Sequence, residues 1–319
     1  MQYSILAEAF EKMESTRKRL ELTQHLVELF EKTPHDVISK ITYLLQGKLR
    51  PDFEGIELGV AEKLAMRAIS KSSGIAIKKI EDEYNKGGDL GHAAAKILEQ
   101  KTQTTFLVEN ITVERVYETL FKIARLEGSK SQDMKIKYIS SLLNDANPLE
   151  ATYILKILLG TLRLGVAENT VMDALAIAYS GNKDNRKMLE HAYNVSSDLG
   201  KVAQTIAIGG IEGIEEFKIE LFNPIRPMLA DRVKSENEVI EKLGNEFAIE
   251  YKLDGERVQI HIEGDKIELF SRSLEKISNY YPDIIEKIPK TFQAENAILE
   301  AEIVAINENT GDFLPFQEL

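Results

Sequence analysis

A lysine set just before a tight turn, with an arginine five residues further on, is an arrangement able to do covalent chemistry. Glu250-Tyr251-Lys252-Leu253-Asp254-Gly255-Glu256-Arg257 has that form. Two flanking runs read as strands, Glu246 to Tyr251 and Arg257 to Ile262, with Val258, Ile260 and Ile262 alternating with polar residues in the second. An amine at a strand end is held on a rigid frame, which suits a nucleophile better than a solvated charge. The amine must be neutral to attack, and a free lysine titrates at about 10.4. It therefore needs partial burial and a cationic neighbour, a part that Arg257 can play. The competing reading is a β-hairpin with a surface lysine on an Asp-Gly turn. Lys-x-Asp-Gly alone would not exclude it; Arg257 is what weighs against chance.

The elements that must position this lysine follow it. Arg257 to Ile262 and Lys266 to Ser271 flank Glu263-Gly264-Asp265, a hairpin turn. Pro282 to Lys290 reads as a short helical crossover. Asn296 to Ile306 reads as a strand, which Asn309-Thr310-Gly311-Asp312 turns into Phe313 to Phe316. This is an antiparallel-rich α+β layout, unlike the βα alternation of a dinucleotide fold.

Ahead of the lysine, Met1 to about Phe217 reads as helix throughout. Leu20, Leu26, Leu29 and Phe30 recur at helical spacing, as do Ile136, Ile139, Leu142 and Leu143. The region also repeats itself. Gly59-Val60-Ala61-Glu62 returns as Gly165-Val166-Ala167-Glu168, and Tyr84-Asn85 with Asp89-Leu90-Gly91 returns as Tyr193-Asn194 with Asp198-Leu199-Gly200. Pro34 to Gly47 parallels Pro148 to Gly160. Two similar helical halves are expected, related by a pseudo-twofold axis. A duplication with no ligand is the plain reading. Double-stranded DNA has a local twofold of its own, however, and paired halves could meet both strands alike. Each Gly-Val-Ala-Glu follows a glycine-bearing loop with an arginine, Arg50 or Arg163, and a helix starting there aims free N–H groups at anions. Gly59 and Gly165 would let backbone approach the phosphates. Arg17 and Lys18 after Ser15-Thr16, and Lys130 and Lys135 around Ser131, form a second matched pair of helix starts. The hydroxyls there are expected as N-caps and the cations as phosphate contacts.

Between the two regions, Pro224 and Pro227 in Phe222-Asn223-Pro224-Ile225-Arg226-Pro227-Met228-Leu229-Ala230 favour extended backbone. The expected domains are therefore residues 1–217, a linker at 218–231, and residues 232–319.

Composition narrows the field. The 319 residues contain no cysteine, so no disulfide framework or thiolate metal site, and the five histidines lack ligand spacing. No signal peptide or apolar membrane span is seen, and a cytoplasmic, intracellular protein associated with the nucleoid is expected. The formal net charge of -12 argues against nucleic acid taken alone, but a local basic stripe can bind it on an acidic protein.

The octapeptide around Lys252 resembles the signature of nucleotidyltransferases that form a lysyl-nucleotide intermediate, and is most similar to the ATP-dependent DNA ligases of archaea and eukaryotes. Thr161-Leu162-Arg163-Leu164-Gly165-Val166-Ala167-Glu168 resembles the DNA-binding domain preceding their catalytic core, and Pro227-Met228-Leu229-Ala230 resembles their linker. The resemblance implies a multidomain chain: an all-α duplicated DNA-binding domain, then an α+β antiparallel-rich nucleotidyltransferase domain. It implies Lys252 as the adenylated residue, with ATP and Mg²⁺ as cofactors and nicked duplex DNA as partner of a monomer acting in replication, repair and recombination. Phe270-Ser271-Arg272 matches a basic motif, placing Arg272 with Arg257 at the ribose or phosphates. Leu299-Glu300-Ala301-Glu302 matches an acidic motif, placing Glu302 at the ribose hydroxyls or indirectly at Mg²⁺. Leu314-Pro315-Phe316-Gln317 matches an aromatic motif whose Phe316 stacks on the base, and Glu250 helps define the adenine pocket. The family's later acidic and lysine motifs and its oligonucleotide-binding barrel do not follow. An incomplete nucleotidyltransferase domain is therefore expected, with little catalysis by these residues alone. Three other readings stay open: a non-catalytic DNA-binding module, a capping guanylyltransferase (which the long helical region disfavours), and ADP or NAD as donor. Finally, Gln103-Thr104-Thr105-Phe106-Leu107 resembles an abbreviated sliding-clamp peptide, with Gln103, Phe106 and Leu107 as its contacts; folding of the Phe-Leu pair onto the helices is the alternative.

Overall fold

The computed structural model describes residues 1–100 and 110–319, so Gln103, Phe106 and Leu107 lie outside the described residues. The chain divides into two compact units. One is Met1–Tyr193 with Asp198–Lys218; the other is Asn194–Ser197 with Ile219–Leu319.

The first unit is helical, as its periodicity predicts. Its helices are α1 (Tyr3–Glu14), α2 (Arg19–Glu31), α3 (Ile38–Leu45), α4 (Glu62–Ser73), α5 (Ile77–Gly87), α6 (Leu90–Glu99), α7 (Val113–Ala124), α8 (Ser131–Asp145), α9 (Pro148–Leu158), α10 (Glu168–Ser180), α11 (Arg186–Ser196) and α12 (Leu199–Glu215). Their buried faces merge into one apolar cluster running from Tyr3 to Ile214. The packing crosses the chain: α2 lies on α10, α8 on α4, α3 on α12 and α9 on α6. The recurring Asp-Leu-Gly has a structural cause in both places. Asp89 and Asp198 are N-caps, accepting from the N–H groups of His92 and Lys201 at 2.9 Å each. The following glycines, Gly91 and Gly200, lie where a Cβ would collide with the Thr152 carbonyl oxygen on α9 and the Tyr43 ring on α3. Cap and close approach together fix how these helices enter the core.

Several expectations in this unit are corrected. Leu20 is 80 % exposed and takes no part in the core, because α2 begins only at Arg19 and its inward stripe starts with Leu22. Neither expected hydroxyl cap forms. Lys18 and Lys130 occupy the N-cap positions of α2 and α8, without side-chain capping bonds. Thr16 lies two residues too early; its hydroxyl accepts from the Lys18 N–H and donates to Glu21.

In the second unit α13 (Glu236–Leu243), capped by the Ser235 hydroxyl, precedes β1 (Glu256–Glu263), β2 (Lys266–Ser271), α14 (Pro282–Thr291) and β3 (Asn296–Ile303). The sheet is antiparallel in the order β2-β1-β3. One face, with Val258, Ile260, Ile262, Ile267 and Leu269, packs against Ile284, Ile285 and Ile288 of α14. The hairpin and crossover helix lie where the sequence places them. The strand expected at Glu246–Tyr251 is absent: β1 is paired on both sides, and among the described residues no outer strand edge pairs with that segment. β3 ends at Ile303, and the return through Phe313 is one isolated bridge to Ile306 followed by a 3₁₀ turn at Phe316–Glu318.

Candidate functional site

β1 carries polar side chains on the sheet face away from α14. Directly opposed residues in an antiparallel pair share a face. Arg257 therefore stands with Glu302, its register partner on β3, and Gln259 stands with Glu300 and Phe270. The Arg257 guanidinium pairs with the Glu300 carboxylate. Arg272 follows the end of β2 in a turn where Leu274 adopts φ 69° and its N–H bonds the Ser271 carbonyl. Arg257 and Arg272 then line one shallow hollow together with Glu300, Ile225 and Pro227. Two cations converging on one concave surface can hold an anion.

The lysine loop enters β1 by way of Gly255. A Cβ there would lie 2.1 Å from the Ile303 carbonyl oxygen and 3.0 Å from Glu302 Cγ. Glycine is demanded by close approach to β3, so the Lys-x-Asp-Gly loop is drawn against the strand bearing Glu302. The Asp254 carboxylate accepts from the Phe316 N–H at 3.4 Å, tying this loop to the aromatic motif. Lys252 is exposed, as are Glu250 and Tyr251, and it does not line the arginine hollow. Phe316 is 46 % exposed, a ring open to a ligand rather than the core residue that an isolated reading favours. Among the described residues no three acidic or histidine side chains stand together as a metal cage. An ion such as Mg²⁺ near Glu302 would draw most of its ligands from phosphate oxygens and water.

Two residues here escaped sequence reasoning. The alternation along β1 suggests one solvated face, yet Gln259 is buried and His261 is 0 % exposed. Burial pushes the His261 imidazole down to about 4. The ring is neutral, with Nδ1 accepting from the Phe222 N–H at 2.8 Å and Nε2 facing Gln259 Oε1 at 2.8 Å. Nothing in the sequence hints at this, because both positions fall on the polar side of the alternation.

In the helical unit the expected cations differ in circumstance. Arg163 is exposed between α9 and α10, with no ion pair among the described residues, just before Gly165 at φ 69°. Arg50 is half-buried, 3.8 Å from Glu54 and stacked 5.6 Å from the Phe121 ring centre. Gly59, Arg17 and Lys130 are exposed and Lys135 is half-buried. Lys18 pairs with Glu21 at 2.8 Å. Both Gly-Val-Ala-Glu loops lead into helices with alanine N-caps, Ala61 and Ala167, that make no side-chain capping bond. The starts of α4 and α10 therefore have no side-chain acceptor of their own, although the Leu64 and Thr170 N–H groups bond back to the Ala61 and Ala167 carbonyls. A further group was missed. Asp173, fully buried on α10, gathers Arg19 at 2.8 Å, Lys183 at 3.3 Å and Arg186 at 3.4 Å. Three cations are thereby gathered on one buried carboxylate within α10.

Comparison with known proteins matches both regions. The family described as DNA ligase N terminus matches residues 2–176, and that described as ATP dependent DNA ligase domain matches residues 227–319. A DNA ligase of Nitrosopumilus maritimus is 83% identical over 319 residues, covering 100% of this chain and 54% of the relative. One of Cenarchaeum symbiosum is 67% identical over 319 residues, covering 100% and 54%. A DNA ligase 2 of Thermofilum pendens is 49% identical over 324 residues, covering 99% and 54%. The chain thus spans about half the length of the curated relatives it matches.

Proposed function

The chain belongs to the ATP-dependent DNA ligase family, and from that premise we propose that it carries the duplex-gripping and nucleotide-accepting parts of a protein that seals nicks in DNA. Lys252 Nζ attacks the α-phosphorus of ATP and loses a proton. The N–P bond forms as the P–O bond to pyrophosphate breaks. AMP then passes to the 5′-phosphate of a nick, and the 3′-hydroxyl displaces it to close the strand. Arg257 and Arg272 bind the ribose or phosphates and offset their charge. Glu302 holds the ribose hydroxyls, Glu250 borders the adenine and Phe316 stacks on it. Mg²⁺ bound with the triphosphate would supply further charge neutralisation. The observation that carries this reading is that Arg257 and Arg272 line one hollow, in the unit whose Gly255 draws the lysine loop against the strand of Glu302. Lys252 is exposed. In this reading the bound nucleotide supplies the desolvation that an amine nucleophile requires.

The helical unit is the DNA grip. Its crossed packing supports reading it as two halves: α2 on α10 matches α8 on α4, and α3 on α12 matches α9 on α6. Tyr84 donates to Glu62 as Tyr193 donates to Glu168. The Arg19–Asp173 pair has its counterpart, with the charges exchanged, in Asp133–Arg67. Contacts made by helix starts and isolated cations imply little sequence preference. Such a protein would serve replication, repair and recombination as a monomer in the cytoplasm, at the nucleoid. Among the described residues no helix is long and apolar enough to cross a membrane.

The test is sealing of a 5′-labelled nicked duplex by the full-length protein with ATP, ADP or NAD as donor. Closure with ATP is expected; closure with NAD alone, or with no donor accepted, would reject the assignment. A sliding clamp is the proposed partner of Gln103, Phe106 and Leu107. Calorimetry should show clamp binding that Phe106→Ala removes while duplex binding persists; equal affinities would dispose of that partner.

A further inference from the structure

The buried polar pair on β1 has no part in the reaction as described, yet every hydrogen-bonding atom on it is engaged. Gln259 Oε1 accepts from the Ile225 N–H at 2.7 Å, and its Nε2 donates to the Ile225 carbonyl at 3.2 Å. One side-chain amide thereby satisfies both backbone groups of one residue, as a neighbouring strand would. Three residues earlier the Phe222 N–H is taken by His261 Nδ1, and His261 Nε2 donates to Gln259 Oε1. Phe222 needs holding: its φ is 68°, a left-handed backbone that a bulky side chain adopts only when its surroundings impose it. Its ring lies beside His261 with the Lys266 ammonium 3.4 Å from its centre, and His261 in turn meets Phe270 edge-on. The Phe222–Ile225 segment is thus pinned at both ends to the open face of the sheet.

Of the pair, Gln259 lines the arginine hollow. Gln259 Nε2 lies 3.5 Å from Glu300 Oε1, and the other oxygen of that carboxylate pairs with Arg257. Ile225, the end of the pinned segment, and Pro227, two residues beyond it, form a wall of the hollow that Arg257 and Arg272 also line. A chain of direct contacts therefore runs from the backbone of Phe222 through His261, Gln259 and Glu300 to the Arg257 guanidinium.

We propose that Gln259 and His261 are positioning residues: they clamp the Phe222–Ile225 backbone onto the sheet as a wall of the nucleotide site, and through Glu300 they fix the Arg257 guanidinium. This rests on the reading of Arg257 as a nucleotide contact. Because the clamp acts on groups that hold the nucleotide before reaction, its loss should weaken ATP binding more than it slows the step at saturating ATP.

The variants are chosen to keep size and fold. Gln259→Glu retains the acceptor for the Ile225 N–H, loses the amide donor and sets a negative charge beside Glu300. His261→Asn keeps an acceptor near the position of Nδ1, whereas His261→Phe does not. In the full-length protein two quantities are measured: hydrogen exchange of the Phe222 and Ile225 amides, and the ATP dependence of lysyl-AMP formation. Gln259→Glu and His261→Phe should raise the KM for ATP by roughly 10-fold, with the saturating rate changed less than about 3-fold. Exchange at Phe222 should rise by at least about 10-fold in His261→Phe, and His261→Asn should restore most of both properties. Faster exchange with an unchanged KM would overturn the positioning role, and so would a raised KM with both amides still protected. Labelling that Lys252→Ala abolishes but no clamp variant alters rejects this proposal alone. Absence of labelling in the unaltered protein rejects the nucleotide reading, and the link from Gln259 to Arg257 falls with it.

Discussion

Lys252→Ala is expected to abolish transfer of label from α-labelled ATP to the full-length protein, a loss on the order of 10³-fold or more because no other group can form the covalent intermediate. The physical case is local. Gly255 can have no Cβ, since its backbone lies against the Ile303 carbonyl, and this brings the Lys252 loop to the strand that carries Glu302. Asp254 connects the same loop to the Phe316 backbone. Lysine, acid and aromatic motifs, far apart in the sequence, are joined through this loop. The label should behave as a phosphoramidate, released by acid and stable to base, and peptide mapping should place it on Lys252. Arg257→Ala should leave labelling possible but shift its ATP dependence, since arginine binds rather than reacts. Labelling that survives Lys252→Ala unchanged would end the assignment, whatever the activity of the other variants.

How far the sequence could reveal this site depends on which force decides each residue's place. Strong local patterns carried through: the Glu263-Gly264-Asp265 turn and the period-2 runs around it give β1 and β2, and the proline at Pro282 opens α14. The Asp-Leu-Gly repeats were visible as repeats, and their cause, a cap followed by a close helix contact, became plain only with Thr152 and Tyr43 in place. Where a residue's fate depends on distant chain, the pattern misled. Gln259 and His261 look solvated because polar residues alternate with apolar ones, yet a segment more than thirty residues earlier covers them. Glu246–Tyr251 has strand composition but finds no strand to pair with among the described residues, and a strand exists only as half of a pair. Asp173 reads as an ordinary polar residue in a helix; only the fold brings Arg19 from α2 to its side.

Reversing charge at both Arg50 and Arg163 should weaken duplex DNA binding by about 10²-fold near physiological salt and flatten the salt dependence by about two units of slope, since two phosphate contacts are lost. The overall charge of -12 makes binding depend on where cations sit rather than on how many there are. The two arginines are not equal. Arg163 is exposed and unpaired among the described residues, next to Gly165 and the uncapped start of α10. Arg50 already faces Glu54 and stacks on Phe121, so part of its charge is offset at home. Arg163→Glu alone should therefore cost more affinity than Arg50→Glu alone, while only the Arg50 change should lower thermal stability by removing the stacking contact. Arg17→Glu makes the same change in net charge as Arg163→Glu on an exposed side chain outside these loops, and it should cost far less. Fluorescence anisotropy with an unrelated pair of duplex sequences, titrated over a range of salt, reads all four variants. Little difference between the two sequences is expected, because backbone N–H groups and single cations read phosphates and not bases. An equal loss from Arg17→Glu and from Arg163→Glu would show that net charge alone governs binding. No duplex binding by the unaltered protein, even at low salt, would end the reading of the helical unit as a DNA grip.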